Sequence, residues 1–255
     1  MNYFIILGLA LFVYMTFWYI VSLILKRNDV ADIGWGLGFV FLSLIAFFVS
    51  EKYGVRAILV NFLVAVWGIR LATHVYIRNK GKEEDYRYKK WRKEWGKWFY
   101  LRSYLQVYLL QGLFLFLISL PVLFINRNPG EILNLLDFIG VVVWSIGFYF
   151  EVVGDYQLKE FIKKEENKGK IMEEGLWKYS RHPNYFGEVT QWWGIWIIAL
   201  SVPLGIWTII GPITISFLIL KVSGIPMLEK RLEKKEGFEE YKKRVSKFIP
   251  LPPNN

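Results

Sequence analysis

Residues 175–188 read Gly175-Leu176-Trp177-Lys178-Tyr179-Ser180-Arg181-His182-Pro183-Asn184-Tyr185-Phe186-Gly187-Glu188 and lead directly into the apolar segment 189–202. Pro183 suits the first turn of a helix, where its missing N–H costs nothing. The free N–H groups of such a helix start, with Arg181 and His182 just outside, favour an anionic group such as a phosphate or a carboxylate. The alternative is a membrane helix with an interfacial Arg-His cap.

The composition indicates a helical membrane protein. The chain is 54% hydrophobic and 18% aromatic, which is too apolar for an ordinary soluble domain. Several runs approach the roughly 20 apolar residues that a helix needs to cross a bilayer. We therefore expect an all-α bundle of about seven transmembrane helices. Their expected bounds are 3–25, 33–50, 57–77, 104–125, 138–154, 189–203 and 205–221, with a re-entrant pair as the alternative for the last two.

The distribution of basic residues predicts the orientation. Of the 32 Lys and Arg residues, 28 fall in the segments 26–32, 78–103, 155–188 and 222–255, with Lys221 at the edge of the last span included. Cytoplasmic segments of membrane proteins carry such an excess, so we expect a cytoplasmic C-terminus and an external N-terminus. Residues 1–255 are predicted to form a single integral-membrane domain, with 78–103, 155–188 and 222–255 forming a cytoplasmic cap. A multi-pass protein of a bacterial inner or plasma membrane is the expected localisation.

Several kinds of chemistry are not expected. The formal charge of +10 is typical of a cytoplasmic membrane face, so we predict contact with the lipid bilayer and not with nucleic acid. The chain has no cysteine and two histidines, which excludes thiolate and zinc clusters, and we predict no metal site, although carboxylates alone could hold Mg²⁺. Gly34, Gly36 and Gly38 open a span without a preceding strand, so they indicate close helix packing and not a phosphate-binding loop.

Ionisable residues inside spans are functional candidates by default. Three spans carry polar residues at helical spacing, and a fourth carries one at its cytoplasmic end. These residues are Arg70, His74 and Arg78; Glu151, Asp155 and Lys159; Asn184, Glu188 and Gln191; and Asp32. A common cavity that opens to the cytoplasm would explain them. Snorkelling side chains and interhelical ion pairs, such as Arg70 with Glu151, are the alternative.

The loop at residues 78–88 alternates basic and aromatic side chains. These could hold phosphates and stack on a flat ring. A solvated basic loop that faces lipid headgroups is an equally ordinary interpretation.

The chain resembles integral-membrane proteins of the steroid 5-alpha-reductase superfamily, in particular the bacterial branch with a steroid 5-alpha-reductase C-terminal-type domain. The resemblance begins at residues 180–188 and covers most of the chain. The other matching stretches are 32–36, 67–71, 84–88, 223–226 and 241–250. It implies seven spans, a cytoplasmic C-terminus, NADPH in a membrane cavity, and hydride transfer to an enone-type double bond.

The same resemblance implies site residues. Asn184, Tyr185 and Glu188 match the family's cofactor-contacting turn, Arg78 matches the Arg that closes the third span, and Asp155 matches the Asp after the fifth. Tyr241 lies in the C-terminal motif. Together with Arg181 and His182, these are the predicted cofactor-binding residues.

Two departures affect the substrate chemistry. The reductases use a Gln-Glu pair in the second span to polarise the carbonyl, and the nearest candidate here is Asp32. Their third-span tyrosine corresponds to Val75, which has His74 and Tyr76 as neighbours. We therefore predict Asp32, provided that burial keeps it protonated, and His74 as the catalytic residues.

The C-terminal half also resembles isoprenylcysteine carboxyl methyltransferases, at residues 181–187 and 237–250, which would imply S-adenosylmethionine as the cofactor. The N-terminal half and the Asn184–Glu188 turn favour an NADPH-dependent reductase of a lipophilic steroid-, isoprenoid- or fatty-acyl-like substrate. A non-enzymatic lipid-binding protein, with the polar residues as glue between helices, is the second alternative.

Overall fold

The computed structural model describes residues 2–130 and 132–254. Every regular element in these ranges is a helix, so the predicted all-α class is confirmed. The α-helices are α1 Tyr3–Leu25, α2 Val30–Ser50, α3 Val55–Asn79, α4 Tyr86–Trp95, α5 Phe99–Arg102, α6 Leu110–Arg127, α7 Leu135–Lys163, α8 Pro183–Ala199, α9 Ile210–Phe217, α10 Ile225–Leu232 and α11 Phe238–Arg244. Short 3₁₀ segments lie at Gly96–Trp98, Glu165–Asn167, Gly175–Lys178 and Gly205–Ile209, and π-helical segments lie at Ser103–Leu109 and Leu218–Val222.

Six helical stretches within the described residues are long and apolar enough to cross a membrane. They are Tyr3–Leu25, Val30–Ser50, Val55–Asn79, Tyr86–Arg127, Leu135–Lys163 and Gly205–Leu232. The expected sixth span corresponds to α8, which has 17 residues and is shorter than these. The count of seven spans and the orientation therefore stay predictions.

Several helices extend beyond the predicted apolar spans because polar residues continue or cap them. Helix α7 begins with a capping box, in which Asn134 Oδ1 accepts from the Leu136 amide at 2.9 Å and Asp137 Oδ2 accepts from the Asn134 amide at 2.7 Å. It then continues to Lys163, so that Asp155 lies inside the helix and not after it. Helix α2 begins at Val30, which places Asp32 in its first turn.

Two compact units can be distinguished. The first comprises the chain up to Leu133 together with Ala199–Ile210, and the second comprises Asn134–Ile198 and the residues from Gly211 onwards. The prediction of one integral-membrane domain with a cytoplasmic cap stays a prediction.

In the first unit, glycines bring α2 and α3 into backbone contact. A Cβ added to Gly36 would lie 2.8 Å from the carbonyl oxygen of Gly68, and one added to Gly68 would lie 2.6 Å from that of Gly36. A Cβ added to Gly34 would lie 2.9 Å from the Trp18 ring, and one added to Gly38 would overlap the Leu115 side chain. The expected packing role of the Gly34–Gly38 run is therefore confirmed.

In the second unit, glycines spaced by seven residues bring α7 and α8 together. On α7 they are Gly140, Gly147 and Gly154, and on α8 they are Gly187 and Gly194. A Cβ on Gly147 would lie 2.7 Å from the Gln191 amide, and one on Gly194 would lie 2.7 Å from the Trp144 amide. Residues seven apart recur on one face of a helix, so this ladder sets how closely the polar side chains of the two helices approach each other.

We expect Gly187→Ala to destabilise the protein by about 1–3 kcal/mol, the usual cost of inserting a methyl group into a packed site. The added Cβ would overlap the backbone of Gly147 and Glu151, neither of which can rotate away. SDS-driven unfolding in mixed micelles measures the change. Gly8→Ala in α1 is the matched control, because nothing lies within 4 Å of its added Cβ. Equal stability of the two variants would contradict the close packing.

The seven-residue π-helical segment Ser103–Leu109 joins α5 to α6 in the first unit. Its Tyr104 hydroxyl lies 2.9 Å from Thr16 Oγ1, and its Ser103 Oγ accepts a hydrogen bond from Asn28 Nδ2 at 2.8 Å. Tyr19 contacts both Tyr104 and Tyr108, with ring centroids 4.8 and 5.4 Å apart. The segment is therefore tied to α1 and to the turn before α2.

Candidate active site

Helix α8 begins at Pro183, as predicted, and the turn before it is tied to the C-terminal segment. Ser180 Oγ accepts from the His182 amide at 3.1 Å and donates to the Phe248 carbonyl at 2.8 Å. The Arg181 amide donates to the Ser246 carbonyl at 2.9 Å. On its other side, the 3₁₀ turn before it is held to α7, because the Trp177 indole donates to the Gly154 carbonyl at 3.1 Å. Contacts from both sides thus fix the start of α8.

The Arg181 guanidinium is buried and engaged within the second unit. Its side chain binds Glu229 through Nε and NH2, both 2.8 Å from Oε1. Its NH1 donates to the carbonyls of Lys242 at 3.0 Å and Val245 at 2.7 Å, at the end of α11. Arg181 is 5% exposed and Glu229 is 8% exposed. A buried ion pair with this many charge-assisted hydrogen bonds holds α8, α10 and α11 together.

His182 shares the same acceptor. Its Nε2 lies 3.3 Å from Glu229 Oε1, and its ring stacks on Tyr185 with centroids 5.9 Å apart. Burial lowers the pKa of His182, and the positive charges of Arg181 and Lys247 lower it further, against the opposing hydrogen bond to Glu229. The imidazole is therefore neutral at neutral pH. Within the described residues, its buried Nδ1 has no hydrogen-bond partner.

We expect the free energy of unfolding to fall as the pH drops below about 6.5, the ordinary His value, towards the lower pKa of folded His182. In that window the histidine is protonated in the unfolded chain but not in the folded chain. The free energy of unfolding therefore falls by at most about 1.4 kcal/mol per pH unit. Thermal unfolding in detergent between pH 5 and 8 measures it. His182→Gln should lose this slope, whereas His74→Gln, at the other histidine, should retain it. An unchanged slope in His182→Gln would contradict the assignment.

The face of α8 that lies against α7 carries two amide–carboxylate pairs. Asn184 Nδ2 donates to Asp155 Oδ1 at 2.9 Å, and Gln191 Nε2 donates to Glu151 Oε2. Carboxylates only accept, so these bonds fix which atom of each amide is the oxygen. Asn184 Oδ1 and Gln191 Oε1 are buried and, within the described residues, accept no hydrogen bond. Unsatisfied buried acceptors are costly, so these two oxygens are candidates for a hydrogen bond from a ligand N–H or a water.

The remaining predicted cofactor residues of the second unit differ in exposure. Tyr185 and Glu188 are half-buried on α8. Tyr241 is 1% exposed, packs with Phe238 and Val245, and donates its hydroxyl to the Trp177 carbonyl at 2.6 Å. Burial raises the pKa of Tyr241, so its phenol keeps its proton. A cofactor contact by any of these three residues stays a prediction.

In the first unit, Asp32 is the centre of a second polar cluster. Tyr88 donates its hydroxyl to Asp32 Oδ1 at 3.0 Å, and Arg87 NH2 donates to Asp32 Oδ2 at 2.8 Å. Arg78 NH2 lies 3.9 Å from the same oxygen, so two predicted site residues, Asp32 and Arg78, come together here. Tyr88 is 2% exposed. A carboxylate, a buried phenol and two guanidinium groups therefore meet at the start of α2.

Neighbouring ion pairs hold the loop of this cluster in place. Arg27 binds Asp29 in a bidentate pair at 2.7 and 2.8 Å, and Glu84 accepts from the Asn28 amide at 2.7 Å. Burial raises the pKa of Asp85, but its hydrogen bonds from Arg87 outweigh this and lower the pKa overall. These contacts hold the charged side chains around Asp32 in place. His74 lies half-buried on α3 of the same unit, and its catalytic role stays a prediction.

The sequence did not identify three residues that take part in these two clusters. Tyr88 and Arg87 lay within a quoted motif but had no assigned partner, and Glu229 was not considered. The contacts join residues 55 and 56 positions apart in the first unit and 47 and 48 apart in the second. Helical periodicity cannot pair side chains over such distances. The signal available for Glu229 was its acidic side chain within the amphipathic helix α10.

Comparison with known proteins identifies a family for most of the chain. A family profile described as "Protein of unknown function (DUF1295)" matches residues 18–245. The protein described as "Uncharacterized protein C594.04c" of Schizosaccharomyces pombe is 25% identical over 264 residues, which cover 90% of this chain and 74% of that relative. No solved structure matches the chain significantly.

Two enzymes also match over shorter stretches. The 3-oxo-5-alpha-steroid 4-dehydrogenase 1 of Rattus norvegicus is 28% identical over 114 residues, which cover 44% of this chain and 40% of the relative. The Bos taurus enzyme of the same name is 35% identical over 63 residues, which cover 25% of this chain and 24% of the relative. The matches thus span less than half the length of either dehydrogenase.

Proposed function

Because the chain belongs to the DUF1295 family, a steroid 5-alpha-reductase-like family of membrane proteins, we propose that it is a membrane-embedded, NADPH-dependent reductase of a lipophilic substrate. The observation that carries this proposal is the buried Tyr88 hydroxyl, which is hydrogen-bonded to Asp32 beside Arg87. Reduction of a polarised double bond needs a proton donor where negative charge develops. Methyl transfer to a carboxylate does not, so the pair favours the reductase over the methyltransferase.

The residues of the second unit support a cofactor with N–H donors and phosphates. Asn184 Oδ1, Gln191 Oε1 and His182 Nδ1 are buried acceptors without a partner among the described residues, and a carboxamide N–H₂ group fits such acceptors. The N–H groups at the start of α8 favour a phosphate. When bound, NADPH would supply a hydride. Because the donors of Arg181 are engaged with Glu229 and the α11 carbonyls, we assign it to holding this helix start in position.

We assign proton delivery to the first unit. Tyr88 Oη holds the proton, and Asp32 orients the phenol through its hydrogen bond. The Arg87 guanidinium, 2.8 Å from Asp32 and 5.4 Å from the centre of the Tyr88 ring, offsets the charge left when the proton departs. Arg78 adds a second positive charge near Asp32. Asp32 is then a positioning residue, and His74 is the alternative donor.

Thermal unfolding of the full chain in detergent, titrated separately with NADPH and S-adenosylmethionine, tests the proposal. A cofactor at one hundred times its Kd stabilises the folded state by about 2.7 kcal/mol, and we expect this from NADPH only. Asn184→Ala should lose most of the NADPH-induced shift, measured from its own unliganded midpoint. Asn167→Ala removes an asparagine that also donates a single side-chain bond, to Phe161, and should keep the shift. Stabilisation by S-adenosylmethionine alone would overturn the proposal.

A further inference from the structure

A cavity of about 340 Å³ lies at the C-terminal end of the second unit. We call it the C-terminal basic cavity. Its lining includes Arg181, Lys242, Lys243, Arg244 and Lys247, and no acidic side chain is among its lining residues. Its volume lies within the range of about 300–1,000 Å³ that small-molecule sites occupy.

Backbone hydrogen bonds build the walls of this cavity. The tail after α11 folds back, since the Leu251 amide donates to the Tyr179 carbonyl at 3.0 Å and the Asn254 amide donates to the Arg244 carbonyl at 2.9 Å. The carbonyls at a helix C-terminus normally repel an anion. Here Arg181 NH1 donates to the Lys242 and Val245 carbonyls, which satisfies these two acceptors and weakens that repulsion.

The charges of the cavity are only partly compensated. Lys242 lies 3.6 Å from Glu239, Arg244 lies 2.6 Å from Glu173, and Lys247 lies 3.7 Å from Glu229. The basic side chains of these pairs are 39–51% exposed. Ion pairs of such exposed groups contribute little to stability, so these side chains can turn to another anion. Lys243 is exposed and has no acidic partner within the described part of the chain.

The segment after Lys247, which contributes Leu251 to the cavity lining, also carries exposed apolar side chains. Ile249 is 57% exposed, and Leu251, which lines the cavity, is 53% exposed. A basic surface next to exposed aliphatic side chains matches an amphipathic ligand, with an anionic head and an apolar chain. Basic residues that follow a membrane span attract anionic lipids in the same way.

We propose that the C-terminal basic cavity binds a phosphate-bearing anion, namely the headgroup phosphate of an anionic phospholipid. The proposal does not rest on the proposed cofactor, and the cavity would hold a lipid of the surrounding membrane against Arg181 and the tail after α11.

Native mass spectrometry of the full chain with phosphatidylglycerol or phosphatidylcholine of the same acyl chains tests this. We expect wild type to bind phosphatidylglycerol at least about tenfold more tightly, and the double variant Lys243→Gln/Lys247→Gln to lose about tenfold of that affinity. Lys230→Gln/Lys234→Gln removes the same charge from exposed positions outside the cavity lining and should bind within about twofold of wild type. Equal binding of both lipids, or equal losses in both double variants, would overturn the proposal.

Two further measurements identify the source of the phosphate. Millimolar inorganic phosphate that displaces phosphatidylglycerol from wild type supports recognition of the phosphate group itself. Thermal protection by inorganic phosphate without binding of phosphatidylglycerol, lost in Lys243→Gln/Lys247→Gln (the cavity variant), would overturn the assignment to a lipid and identify a soluble phosphate as the ligand of this cavity. The NADPH-induced thermal shift should be unchanged in the cavity variant; its loss with lipid binding intact would overturn the assignment to lipid.

Discussion

Tyr88→Phe should lower kcat for NADPH-dependent reduction of a lipophilic enone by about 10²–10⁴-fold, the contribution of a positioned general acid. The substitution removes one oxygen and leaves the buried ring, so KM and the NADPH-induced thermal shift should change little. The hydroxyl that is lost is the one that donates to Asp32 at 3.0 Å. The decrease in absorbance of NADPH at saturating substrate measures the effect.

The matched control for this prediction is Tyr86→Phe, at a tyrosine of the same helix that is 50% exposed. We expect its kcat to stay within about twofold of wild type. If Tyr88→Phe keeps its activity and loses only stability, the Asp32–Tyr88 pair has a purely structural role. Loss of activity in His74→Gln with activity retained in Tyr88→Phe would assign the proton to His74.

Arg181→Ala should reduce the free energy of unfolding by about 3–5 kcal/mol, the cost of breaking a buried ion pair by removing one partner. The substitution removes the two closest donors of Glu229, which keeps only His182 Nε2 at 3.3 Å and Lys247 Nζ at 3.7 Å, and it removes the donor of two carbonyls at the end of α11. SDS-driven unfolding in mixed micelles gives the magnitude. Arg181→Lys should recover part of the loss, because an ammonium keeps the charge but not the planar set of donors.

Arg244→Ala is the matched control, since Arg244 is also paired with a glutamate, at 2.6 Å, but its side chain is 51% exposed. An exposed pair contributes about 0–1 kcal/mol. Equal effects of the two substitutions would show that Arg181 is not the structural centre described above. Unchanged stability of Arg181→Ala with a lost NADPH-induced shift would instead make Arg181 a direct cofactor contact, as the sequence predicts.

The class of the protein and most of its helices can be read from the sequence, because long apolar runs leave the chain few alternatives. Membership in the steroid 5-alpha-reductase-like family can be read from the Arg181–Glu188 run and its companion motifs. The start of α8 at Pro183 and the packing of the Gly34–Gly38 run follow from local geometry, and both were predicted. Polar helix ends are less predictable, which is why α7 extends nine residues beyond the expected end of the span at Gly154.

The pairing of side chains across the fold could not be predicted. Asp32 was recognised as a candidate, but its partner Tyr88 comes from a loop helix whose position depends on ion pairs such as Arg27 with Asp29. Arg181 was expected to face a phosphate, and its engagement with Glu229 depends on where α10 packs. Hydropathy and spacing carry no information about such tertiary contacts, so the residues of a site can be nominated from sequence more readily than their roles.

The π-helical turn at Ser103–Leu109 has a consequence for the long stretch Tyr86–Arg127 that contains it. An α-helix turns by about 100° per residue, and the i→i+5 bonds of a π segment interrupt that phase. Side chains before Ser103 and after Leu109 therefore belong to two separate angular registers, even though the stretch is continuously helical. If this segment became plain α-helix at unchanged length, the inward face of α6 would rotate by about 100° away from its neighbours, whereas deletion of one residue would allow a continuous α-helix that keeps that face in place.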